Sequence, residues 1–61
     1  MPIPKVPKAL RSTLKADIKR ALHIGTPKNT VLIRQVLYNR YGWDRTVRVS
    51  LTDIREILET L

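Results

Sequence analysis

Apolar residues return along this chain at helical spacing three times and at strand spacing once. From Lys8 to His23, Leu10, Leu14, Ile18 and Leu22 recur every fourth position with Ala21 beside them, which predicts an amphipathic helix over 8–23. Over 27–41, Leu32, Ile33, Val36 and Leu37 form one broad apolar face, while Val31 and Tyr38 fall on the opposite side at about 100° per residue. A helix apolar on two sides is either central to the core or also meets a partner. In the last stretch Leu51, Ile54, Leu58 and Leu61, with Ile57 alongside, predict a third helix over 50–60. Between the second and third, residues 46–49 alternate as a short strand does, with Arg48 pointing opposite to Val47 and Val49. A lone strand needs a partner, either a second copy across a dimer axis or the N-terminal arm. The pattern as a whole predicts a mainly all-α domain of three short helices over 8–61, with room for one short strand.

The punctuating residues set the expected boundaries. Pro2, Pro4 and Pro7 bar a regular helix from residues 1–7, so these form a flexible, basic, proline-rich arm. Thr26 is placed to cap the second helix and Pro27 to occupy its first position, where a missing N–H costs nothing. Gly42 can take the left-handed conformation that ends it. Ser50 followed by Asp53 approximates a capping box, with Asp in place of the usual Glu.

Helix, glycine-containing turn and helix together resemble a helix-turn-helix unit. Ala21, Gly25 and Val31 hold the small, turn and apolar positions of such a unit, and Ile24 fits as the apolar turn residue. Arg34, where another apolar residue is usual, and Arg20 depart from the pattern. As a runner-up, residues 45–61 resemble the strand and first helix of a ribbon-helix-helix protein, whose second helix has no counterpart here.

Charge changes the picture most. The 61 residues carry twelve Lys and Arg against five Asp and Glu, a net charge of +7. Residues 1–48 hold eleven basic and two acidic side chains, a net of +9, whereas residues 49–61 hold one and three, a net of −2. Such asymmetry suggests one surface facing a polyanion and a separate element with another task. Lys8, Arg11, Lys15, Lys19 and Arg20 follow the polar side of the first helix, joined by Lys5 and Arg48, and form the expected phosphate-contacting set. Lys28, Asn29, Thr30, Arg34 and Gln35, with Tyr38 further along, are the residues a recognition helix would aim at base edges. Leu51, Ile54, Leu58 and Leu61 are the residues expected to hold a dimer or complete the core.

Other chemistry is sparse. Without cysteine there is no disulfide and no thiolate zinc site, and with one His among scattered acids no metal site is expected. His23 is best explained by the helix C-terminus it sits on. Trp43 is expected to lid a small core, with base stacking as the sharper alternative. No phosphate loop, nucleotide fingerprint or acid–base constellation appears, so neither an enzyme nor a small-molecule or cofactor site is expected. A chain this short has a marginal core, which favours a homodimer. No apolar run reaches the length of a bilayer span, which favours a cytoplasmic, nucleoid-associated protein. The sequence thus points to a small dimeric DNA-binding protein, a transcriptional regulator or an architectural factor. RNA binding at a ribosome or messenger, and a small inhibitor docking on an acidic protein surface, are the alternatives.

Overall fold

The computed structural model describes residues 5–45 and 47–61 of the chain. Among these residues three helices, α1 (Lys8–His23), α2 (Thr30–Tyr41) and α3 (Leu51–Glu59), pack around one core, with a single 3-10 turn at Trp43–Arg45. The all-helical architecture matches the expectation, and α2 is its centre, touching α1, α3 and the 3-10 turn. The core consists of Val6, Leu14, Ile18, Ile33, Leu37, Trp43, Val49, Ile54 and Ile57.

Helix α1 begins directly after Pro7, and its end is closed by two backbone bonds. Gly25 N–H reaches Leu22 O and Thr26 N–H reaches Ala21 O, with Gly25 at φ +104°. This is a Schellman closure, and it needs a residue tolerant of positive φ at position 25. It also explains why α2 does not start where expected. Thr26 is engaged in ending α1, so Thr26 and Pro27 do not open the second helix. Asn29 is its N-cap, accepting from Val31 N–H at 2.9 Å and Leu32 N–H at 3.2 Å through Oδ1. A side-chain oxygen that satisfies two orphan N–H groups outcompetes Pro27, which only tolerates the first position. The C-terminal boundary holds as expected, with Gly42 at φ +71°.

The later start changes what α2 buries. Ile33 and Leu37 are fully buried and Val36 half-buried, but Leu32, expected on the apolar face, is 39% exposed and Val31 44% exposed. Of the three helix-turn-helix positions, Ala21 is buried and Gly25 has the positive φ; Val31, where a buried residue belongs, faces solvent.

The expected strand over 46–49 is absent among the described residues; Thr46 lies outside them. Val49 is buried, but its backbone is satisfied without a ladder. The Tyr38 hydroxyl accepts from Val49 N–H at 3.0 Å and donates to Val49 O at 3.4 Å. A phenol on α2 thereby replaces the strand partner, and the ribbon of a ribbon-helix-helix fold has no counterpart among the described residues. Of residues 1–7, read as an arm, 1–4 lie outside the described residues, while Val6 is 3% exposed and part of the core.

Helix α3 turns its apolar stripe onto the chain's own core. Ile54 and Ile57 are buried, Leu58 packs against the cluster, Leu51 is half-buried and Leu61 is 47% exposed. Of the set expected to dimerise or complete the core, Ile54 and Leu58 complete it. No helix among the described residues is long and apolar enough to cross a membrane.

Candidate nucleic-acid interface

The five acidic side chains decide which cations are available. Asp53 is fully buried and receives three donors: Val6 N–H at 2.9 Å and the Ser50 hydroxyl at 3.0 Å on Oδ2, and Arg11 Nη1 at 2.9 Å on Oδ1. Ser50 Oγ also accepts from Asp53 N–H, so the helix cap and the arm are tied at one carboxylate. Burial by itself would raise the Asp53 pKa. The Val6 N–H, the Ser50 hydroxyl and the Arg11 guanidinium together outweigh burial and hold the carboxyl below its usual range. Glu56 sits beside it, 3.5 Å from Arg11 Nη2 and 3.4 Å from Lys5 Nζ. Asp17, the only acid on α1, accepts from Trp43 Nε1 at 2.7 Å and lies 3.6 Å from Arg20. Glu59 pairs with Arg55 along α3.

Four acids are therefore engaged in internal contacts, and they pair with only four of the twelve cations: Lys5, Arg11, Arg20 and Arg55. Among the described residues the remaining eight form no ion pair. Asp44 is the one acid without such a partner.

The expected phosphate set is divided among four places. Lys5 and Arg11 belong to the seam between α1 and α3, where they neutralise acids. Lys8, Lys15 and Lys19 fall within roughly 40° of arc on α1 at 3.6 residues per turn, outside the buried stripe of Leu14, Ile18 and Ala21. Lys8 and Lys19 are exposed and Lys15 half-exposed, sharing a groove with Glu56 without an ion pair to it. Arg20 stands further round the same helix, and Arg48 belongs elsewhere, in a shallow hollow with Arg34, Tyr38 and Asp44.

The expected base-reading set does not form one face. Asn29 is committed to the cap, and Lys28 precedes the helix instead of starting it. Thr30 is half-buried, and Arg34 lies over the Tyr38 ring with its Cζ 6.0 Å from the centroid, a cation–π arrangement. Of this set only Gln35 stands exposed on α2, beside the exposed Val31, Leu32 and Asn39. Trp43 is 6% exposed and tied to Asp17, so it acts as the lid and not as a stacking platform.

Arg40, which drew no notice in the sequence, lines a hollow with Lys19, Arg20 and His23. It stands in the last turn of α2, and that hollow sets it beside the last turns of α1. No protein-family model, curated protein or solved structure matches this chain.

Proposed function

We propose that the protein binds a nucleic-acid backbone, duplex DNA first, as an architectural or accessory factor without a base-reading helix. The observation that carries this reading is that Lys8, Lys15 and Lys19 share one side of α1 without an ion pair among the described residues, while Asp53 and Asp17 are turned inward. Asp53 and Asp17 hold Val6, Arg11 and Trp43 from within, so two of the five negative charges are withdrawn from the surface, and Glu56, Glu59 and Asp44 are the acids left at it. Lys8, Lys15 and Lys19 supply the continuous part of that surface. Each point charge contacting a phosphate displaces condensed counterions, which yields affinity and register with little sequence preference. Arg20 and Arg40 extend the cationic surface at the far end of α1.

The first turns of α2, where a recognition helix meets base edges, offer little for base reading. A recognition helix needs Arg, Asn or Gln side chains free to meet base edges in bidentate geometry. Asn29 is occupied, Arg34 is folded over Tyr38, and Gln35 stands beside the exposed apolar Val31 and Leu32, with Asn39 and Arg40 only in the last turns of the helix.

Fluorescence anisotropy of a labelled duplex between about 50 and 200 mM salt tests the proposal, with a matched RNA hairpin alongside. The expected result is tighter binding to the duplex, a steep loss with salt, and near-equal affinity for unrelated sequences. Absent binding at the lowest salt rejects it, and tighter binding to the hairpin moves the reading to RNA.

A further inference from the structure

The turn between α1 and α2 and the outward side of α2 offer a surface of a different kind. Three of the four large apolar side chains that stand exposed, Ile24 at 49%, Val31 at 44% and Leu32 at 39%, come from one short stretch of chain. Ile24, Pro27, Leu32 and Val36 line an open trough of about 580 Å³, with Gln35, Asn39 and Arg40 completing it. Ile24 and Arg40 also line the adjoining hollow, which holds Lys19, Arg20 and His23. No acidic side chain lines either cavity. The whole is therefore an apolar floor that runs into a cationic end.

Charge selects the occupant. A duplex backbone gains nothing from an apolar floor. A second copy of this chain brings net +7 toward the same cations, and four of its five acids are already engaged in its own fold. A segment with apolar side chains on one face and carboxylates beside them complements both parts, in the manner of an amphipathic helix laid in a groove. We infer that this trough docks an acidic amphipathic segment of a partner protein, its apolar side chains on Ile24, Leu32 and Val36 and its carboxylates against Arg40 and Arg20. The inference goes beyond backbone binding and does not depend on it.

The probe is a synthetic peptide of about fifteen residues, or four helical turns, with leucines at i, i+4 and i+7 and glutamates beside them. A control peptide replaces each glutamate with lysine. Amide shifts of the full chain, labelled with ¹⁵N, are followed during titration with each. The acidic peptide is expected to move the amides of Ile24, Leu32, Val36 and Arg40 in a saturable way, and the lysine peptide to move none of them. Leu32→Asp and Arg40→Glu are each expected to weaken the acidic peptide about tenfold. Both side chains are exposed, and unchanged thermal unfolding of each variant separates lost docking from lost folding. Shifts confined to other residues, or equal affinity for the two peptides, would each overturn the inference.

Discussion

The two ends of α1 carry similar charges and meet opposite surroundings. At the N-terminal end Lys5 and Arg11 face Asp53 and Glu56 across the seam with α3. At the C-terminal end Lys19, Arg20 and His23 share a hollow with Arg40, and the one acid there, Asp17, also holds Trp43. At the first end Lys5 and Arg11 are answered by acids of the fold, whereas at the second, among the described residues, Lys19 and Arg40 form no ion pair and Arg20 has only Asp17. Position on the helix, not residue type, separates them. Arg11 lies nearer the buried stripe than Lys8, Lys15 or Lys19 and so reaches α3.

The largest test of this contrast removes the seam's buried carboxylate. Asp53→Ala leaves Val6 N–H without its acceptor and Arg11 without its closest partner. A loss of about 3 kcal/mol is expected in urea unfolding, enough to unfold much of a 61-residue chain. The same group sets an acid limit. Its folded pKa is depressed, so its stabilisation is complete above the unfolded value near 3.8 and is lost as pH falls through the lower folded value. Thermal unfolding should show that limb in the native chain, and its loss in Asp53→Asn would confirm the source.

Smaller effects follow in order. Asp17→Ala leaves the Trp43 indole N–H unpartnered beneath the 3-10 turn and should cost about 2 kcal/mol, with increased exposure of Trp43 seen by fluorescence. Arg11→Ala should also cost about 2 kcal/mol, because its bond to Asp53 is charged on both sides. Lys15→Ala, one helical turn away, should change stability by less than about 0.5 kcal/mol. Equal losses from these two would erase the distinction between fold cations and free cations. Arg40→Glu should be the mildest, neutral or stabilising by a few tenths, since it places an acid among like charges.

Much of the fold could be read from the amino-acid pattern, because helix α1 and the ends marked by Gly25, Gly42 and Ser50 rest on local chemistry. The start of α2 was not legible in the same way. Thr26 and Asn29 are both good caps, and only the Schellman closure of α1 removes Thr26 from the choice. Residues 47–49 have a strand's alternation, yet the tertiary contact from Tyr38 satisfies Val49 without a second strand. The cationic row was visible as a row, but its division was not. Arg11, Lys15 and Lys19 share the same four-residue spacing, and only the placement of α3 shows that the first of them is answered by acids.

The central claim is that the lysines left free on α1 meet phosphates while the seam cations do not. It is tested most directly by comparing the salt dependence of duplex binding in the native chain with that of a Lys8→Gln, Lys15→Gln, Lys19→Gln variant. If each lysine neutralises one phosphate, the slope of log K against log salt should become shallower by about 0.9 per lysine, with stability unchanged. A slope identical to that of the native chain would contradict the account.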